Sequence, residues 1–553
     1  MTTIFENGRF FTASGGPKQP ENPTFAECMV VSGSKISFVG SSTDPAVQQA
    51  RDAGASTQDL DGRLVVPGFV DGHMHLMLMG QSLTSVPLDA CRSLDDIRGA
   101  IRTWAAAHPA APRIFCRGWM HSMTDGAALA SALDDLDARP IFINSKDLHS
   151  TWCSSAALAE MGVDARFADV PGGQIARDEA GRPTGLLSEA ANINIVWPHV
   201  ARVASVEERV ERLEAAFAEY SRAGYTGVVE MAMDETAWAA LQELLKRRHE
   251  GGLPPPPVRV AAHWLINPKD TEAENVAQVD RAAALHAQFN LAASPSCRIA
   301  GIKVICDGVI DACTAALTEP YSSNSVDCPT IWAASALAPV VRRAASTGLQ
   351  VALHAIGDAA IKMAIAALEA AAATNTTPLR RPRIEHLELA SAADAARLGR
   401  LGITASVQPG HADPAILRAW PRLLGPHRCR RAFAYADFLA AGAALALGSD
   451  APTAPHPVWG GWYTATTRRS ARERGAYDVA VNEEFRLGLA TVVAAQTAGA
   501  AWSCYADGLA GRLEEGLSAD FVVLDVEWVP EKVAEGKVVQ TWFEGRKVFD
   551  RQK

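Results

Sequence analysis

Leu64-Val65-Val66-Pro67-Gly68-Phe69-Val70-Asp71-Gly72-His73-Met74-His75-Leu76 is an apolar run that stops at two histidines. In a β-strand, residues i and i+2 share a face, so His73 and His75 point the same way at the strand's end. Two imidazoles converging there suit a transition ion such as zinc. For His-x-His alone, two packed or solvated histidines are the more common reading. Recurrence shifts the balance. Lys303 lies in Ile302-Lys303-Val304-Ile305, His354 ends Val351-Ala352-Leu353-His354, and His386 ends Ile384-Glu385-His386. Leu445-Ala446-Leu447-Gly448-Ser449-Asp450 ends in a carboxylate. With 14 histidines in the chain, such agreement at strand ends is hard to reach by chance.

Outward from this run, strands and helices alternate, the pattern of a parallel sheet with crossover helices. Eight segments read as barrel strands: 64–73, 225–231, 257–265, 299–306, 349–354, 382–387, 402–408 and 443–449. Eight close a (β/α)8 TIM barrel, whose sites sit at the strand C-termini. The His, Lys and Asp positions fall on strands one, four, five, six and eight. Between them, 206–217 has a helical amphipathic period and 359–373 is an alanine-rich helix.

Residues 80–202 are too long for a loop and contain a strand at 139–144, so they read as an inserted α+β subdomain. Within it, 171–173 and 181–185 are turns. Residues 1–63 and 505–553 are strand-and-turn segments, including hairpins at Asn7-Gly8 and Ser32-Gly33-Ser34-Lys35. Together they are expected to form one small β-sandwich, which leaves 64–504 as the barrel with its insertion.

The chain has 553 residues, 48% hydrophobic and 21% charged, enough for a large core. A net charge of -10 without a sustained basic patch argues against nucleic acid or an anionic membrane as partner. The start, Met1-Thr2-Thr3-Ile4-Phe5-Glu6, has no basic segment followed by an apolar one, and no stretch has about 18 uninterrupted apolar residues. A cytoplasmic protein is expected. The 10 cysteines form no Cys-x-x-Cys and read as reduced thiols. The frequency of two-fold assemblies makes a homodimer the default.

Lysine is the odd member of the ligand set, because an ammonium repels a dication. It belongs there only if its amine has reacted with carbon dioxide to give an anionic carbamate that bridges two metals. The alternative is an ion pair of Lys303 with Asp307 or Glu230.

The 66–75 segment resembles the opening motif of the amidohydrolase superfamily, and the chain resembles its amidohydrolase-3 group, with the YtcJ-like proteins and N-substituted formamide deformylase. Further stretches carry the likeness: Ser145-Lys146-Asp147-Leu148-His149-Ser150-Thr151-Trp152, Gly181 to Glu189, Lys303 to Leu317, His354-Ala355-Ile356-Gly357-Asp358, Arg383-Ile384-Glu385-His386, and Gly448-Ser449-Asp450-Ala451-Pro452. The resemblance implies that His73, His75 and Asp450 hold one metal ion and His354 and His386 a second, with carboxylated Lys303 between them. Zinc is the default for these ligands, one or two ions per subunit.

The likeness also implies that Asp450 is the acid–base group and that His149 steadies a developing oxyanion or grips the substrate. Asp147, Trp152 and Asp307 border the substrate, Glu189 is a weaker pocket candidate, and five tryptophans (119, 152, 332, 459 and 462) offer an aromatic pocket. Three departures fall where substrate should lie: Leu148 stands for Gly, Ser154 for Asn, and Val309-Ile310-Asp311 for Ser-Leu-Gly.

The expected activity is hydrolysis of a non-peptide C–N bond of a small molecule, an amide or an N-acyl or N-formyl amine. A deaminase of the same superfamily carries Glu three residues after the strand-five His, where this chain has Gly357. A non-oxidative decarboxylase and a non-catalytic metal-binding regulatory protein are the other readings.

Overall fold

The computed structural model describes every residue except 19–22, 24, 147, 149, 171–172, 190, 326, 375–378 and 552–553. It divides into two compact units: Met1–His75 with Phe217–Asp234 and Leu253–Lys553, and Leu76–Ala216 with Glu235–Gly252.

The first unit contains an eight-stranded sheet of β1 (Phe69–Met74), β2 (Tyr225–Met233), β3 (Arg259–Ile266), β4 (Cys297–Ile305), β5 (Gln350–Ala355), β6 (Arg383–His386), β7 (Thr404–Val407) and β8 (Leu445–Leu447), each paired in parallel with the next. The first and last strands meet. Met74 bridges Ala451, the Asp450 amide donates to the His73 carbonyl at 2.7 Å, and the His75 amide donates to Ala451 at 3.0 Å. A Cβ on Gly448 would lie 2.4 Å from the His73 nitrogen, so only glycine permits this approach. The sheet is therefore a nearly closed parallel barrel.

Residues 64–73 are two strands, not one. Leu64–Pro67 pairs antiparallel with Phe521–Leu524 and lies in a different sheet, and β1 begins at Phe69. Pro67 has no amide proton to continue a ladder, and the chain changes sheets at that point. Uniform hydrophobicity on both sides hides the break.

The two chain ends also belong to this unit. A four-stranded sheet (Lys35–Gly40, Cys28–Ser32, Thr2–Glu6, Ser56–Asp59) and a six-stranded sheet (Arg546–Asp550, Lys537–Phe543, Phe521–Asp525, Leu64–Pro67, Arg9–Phe11, Phe25–Ala26) share one apolar core. Phe5 from the first meets Phe521 and Trp542 from the second edge-on, at 5.0 Å each. The Asn7-Gly8 turn does not make a hairpin, because its flanking strands lie in different sheets and bring Phe5 and Phe10 into that core from two sides.

The second unit has a six-stranded sheet in the order Gly173–Arg177, Pro183–Glu189, Ser150–Cys153, Ile141–Ser145, Ile114–Trp119, Val86–Pro87. Helix Leu94–Ala107 starts at a capping box between Ser93 and Asp96 and presents Ile97 and Ile101 to the core with Ile114, Ile141, Ile143 and Trp152. The unit is longer than the 80–202 insertion, since it includes Leu76–Ala216 and helix Glu235–Glu250. The 171–172 part of an expected turn lies outside the described residues. Among the described residues, no helix is long and apolar enough to cross a membrane.

Candidate metal centre

The strand C-termini bring His73, His75 and Asp450 together. Asp450 Oδ1 lies 3.3 Å from His73 Nε2 and 3.1 Å from His75 Nε2. Ligand atoms around a tetrahedral ion with bonds of about 2.0–2.1 Å are themselves about 3.3 Å apart. One donor atom from each of these three residues lies within 4.8 Å of the others.

A second layer fixes the first. His73 Nδ1 is 2.7 Å from Glu385 Oε2, so the carboxylate holds the ring proton on Nδ1 and leaves the Nε2 lone pair free. Glu385 accepts from Arg383 Nε at 2.6 Å, and Arg383 also donates to the Gly72 carbonyl at 2.6 Å and Ser406 Oγ at 2.7 Å. Burial opposes the Glu385 charge, but Arg383 and His73 outweigh it and hold its carboxyl well below the usual range. Asp71 is fully buried and accepts from the Ser449 amide at 2.8 Å and the Tyr220 hydroxyl at 3.0 Å, which pins the turn that presents Asp450. Asp450 adopts φ +57° there, a conformation costing a non-glycine residue about 1–3 kcal/mol.

Burial likewise opposes the Asp450 charge, and His73 and His75 outweigh it, so its carboxyl is held well below its ordinary value. His386, at φ +77°, places its ring 4.9 Å from His73 and 4.4 Å from His354. Burial, then the Lys303 charge, lowers His354 to about 3, and burial drives His386 well below its usual range. Both rings are therefore neutral, the form that ligates.

Lys303 is 2% exposed, and its register partner is Ala352, two residues before His354. Two strand residues span about 6.6 Å. A lysine is long enough to cover that offset. Burial lowers its pKa, opposed by the carboxylates of Glu385 and Asp450. Asp307 is otherwise engaged. It accepts the amides of Ala316 at 3.0 Å, Ile356 at 3.1 Å and Gly357 at 2.8 Å, and burial raises it to about 7. It ties the loop after β4 to the one after β5, which corrects its expected place beside the substrate.

The donor set fits a cation. His73 Nε2, His386 Nδ1 and Asp450 Oδ1 are buried without a hydrogen-bond partner. Leaving such a group unsatisfied costs about 1–3 kcal/mol, more if charged. Neutral imidazoles and an ionised carboxylate are the chemistry that holds zinc. Beside them stand two residues that the sequence reading passed over. His411 follows β7, and Glu388 lies two residues beyond His386. His411 Nδ1 is 3.3 Å from Glu388 Oε1, and its ring stacks on His386 at 5.8 Å and 6°. Burial opposes charging His411, but Glu388 and Asp450 raise its pKa. Its position just past the C-terminus of a barrel strand was the available signal.

Other expectations resolve differently. Trp152 is fully buried in the core of the second unit, 5.5 Å from Trp119, a packing position rather than a surface open to a ligand. Trp332 and Trp462 are likewise buried, and Trp462 packs edge-on against Phe69 and Trp459. Asp147 and His149 lie outside the described residues. Leu148 between them has φ +63°, a left-handed conformation that the glycine of the resembled motif would adopt without strain. Glu189 ends the strand Pro183–Glu189 of the second unit.

The model of the amidohydrolase family Amidohydro_3 matches residues 56–549. The chain is 30% identical to the protein LONG AFTER FAR-RED 3 of Arabidopsis thaliana, over 99% of this chain and 91% of that one. It is 26% identical to the N-substituted formamide deformylase of Arthrobacter pascens, over 95% of each. A crystal structure of an uncharacterized metal-dependent hydrolase from Pyrococcus horikoshii OT3 superposes with a TM-score of 0.76 at 24% identity, covering 96% of this chain and 98% of that one. The chain belongs to the amidohydrolase family.

Proposed function

We propose that this protein is a metal-dependent hydrolase of a non-peptide C–N bond in a small molecule, an amide or an N-acyl or N-formyl amine. The observation that carries the proposal is the meeting of His73, His75, His386 and Asp450, three of them with unpartnered buried donor atoms, at the C-terminal end of the barrel. In this reading His73, His75 and Asp450 hold one ion, zinc by their chemistry. Lys303, as its carbamate, would hold a second with His354 and His386. A bound divalent ion supplies a Lewis acid that lowers the pKa of water from about 16 to about 7 and polarises a carbonyl.

The side chains supply the rest. Asp450 is ionised at neutral pH and keeps Oδ2 clear of His73 and His75, so it accepts the proton of the attacking water and passes it to the leaving nitrogen. Glu385 keeps the His73 proton on Nδ1 throughout. Gly357 favours hydrolysis over deamination. A Cβ there would sit 2.0 Å from the Ala316 carbonyl, so the deaminase glutamate has no room.

The test is elemental analysis of protein purified without chelators, followed by amine release from a panel headed by N-formyl amines, the class named by the Arthrobacter pascens relative. Metal with amine release is expected. Release of ammonia or carbon dioxide instead would assign a deaminase or decarboxylase, metal without turnover a regulatory protein, and no metal would sink the reading.

A further inference from the structure

We infer that His386, Glu388 and His411 form a cation site distinct from the one made by His73, His75 and Asp450, and that the second divalent transition ion of this chain sits there, sharing His386 with Glu388 and His411 rather than with Lys303 and His354. The inference rests on the metal-centre reading above. One nitrogen from each of the two rings and one Glu388 oxygen lie within 4.8 Å of one another. Two imidazoles and a carboxylate form a three-ligand zinc set that leaves a position open.

Each member is prepared for the role. His411 Nε2 faces Thr453 Oγ1 at 3.4 Å and Asp450 Oδ2 at 3.6 Å. The Thr453 hydroxyl takes the Nε2 side of the ring and leaves Nδ1 to the centre, as an outer-shell partner does for a ligating histidine. His411 Nδ1 and Glu388 Oε1 are 3.3 Å apart, the separation that two ligands of one tetrahedral ion have. His386 is 3% exposed and its Nδ1 is buried without a partner. Left-handed turns at His386 (φ +77°) and Leu387 (φ +55°) return the chain so that Glu388, 5% exposed, stands beside the ring two residues before it.

Asp450 joins the two sites. Its Oδ1 serves His73 and His75, and its Oδ2 faces His411. The seventh strand, which supplies no ligand in the sequence reading, thus contributes one through the turn that follows it.

The experiment uses full-length protein stripped by chelator and titrated with Zn2+, with stoichiometry and affinity read by calorimetry and elemental analysis. Co2+ absorbance gives a second signal. Glu388→Gln and His411→Asn are compared with wild type, with thermal melting to verify folding. Both variants are expected to lose the same ion, or to bind it at least 10-fold more weakly, while the ion at His73, His75 and Asp450 stays. Binding in both variants within two-fold of wild type, ion for ion, would overturn the inference and leave the metal-centre reading standing. No Zn2+ or Co2+ bound by wild type would overturn both.

Discussion

The two ends of the barrel bury polar side chains in opposite ways. At the start of β3, Arg259 is 6% exposed and its donors are used. It pairs with Asp520, donates to Ser518 Oγ at 3.0 Å and to Glu544 at 2.9 Å, and lies 4.4 Å from the Phe543 ring. At the end of β1, His73 is 1% exposed and uses one nitrogen only, while Nε2 has no hydrogen-bond partner. A fully partnered buried charge fastens the terminal sheets to the barrel. Convergent unpartnered donors wait for something that the polypeptide does not supply.

Four measurements would break or sharpen that contrast. The largest effect is expected from Asp450→Asn, which should cut amine release about 10²–10⁴-fold while much of the metal stays bound. Unchanged kcat would remove Asp450 from the chemistry. At the opposite end, Arg259→Ala strands Asp520 in the interior and should lower unfolding free energy by about 3–5 kcal/mol in denaturant titration, with the activity per folded molecule preserved. A loss of activity without a loss of stability would mean that the two ends are not separate in role.

Glu385→Gln keeps the shape but removes the charge that fixes the His73 tautomer. Zinc affinity should weaken about 10–100-fold. Equal affinity would show that the ring needs no such partner.

The smallest effect concerns His263, mid-barrel on β3, whose Nε2 bonds Gln350 Oε1 at 2.8 Å. Burial, then the Arg383 charge, lowers its pKa to about 3 from an ordinary 6.5. Its folded pKa is depressed, so its contribution to stability is intact above pH 6.5 and is lost as pH falls towards 3, by about 1.4 kcal/mol per pH unit. His263→Asn should flatten that slope in unfolding experiments between pH 6 and 4. An unaltered slope would assign the acid sensitivity to the histidines of the candidate centre instead.

How far the sequence carried can be read from single residues. His73, His75, His354, His386 and Asp450 were visible because each ends an apolar strand, and strand ends face the site in this architecture. Glu385 and Arg383 were not assigned, since a charged pair inside a strand reads the same whether it faces a partner or a ligand. Glu388 and His411 stand in irregular segments after the strands, where no period points a side chain anywhere. Trp152 and Asp307 matched a motif, but the motif does not separate a residue that meets a ligand from one that holds the loops around it.

Strand number, strand order and the candidate ligand types came from hydrophobic period and side-chain chemistry, which are local properties. The sheet change at Pro67, the tautomer of His73, the reassignment of Asp307 and the pairing of His411 with Glu388 were settled only in three dimensions. Each depends on which atoms, far apart in the chain, come within hydrogen-bonding distance, and no local preference encodes that.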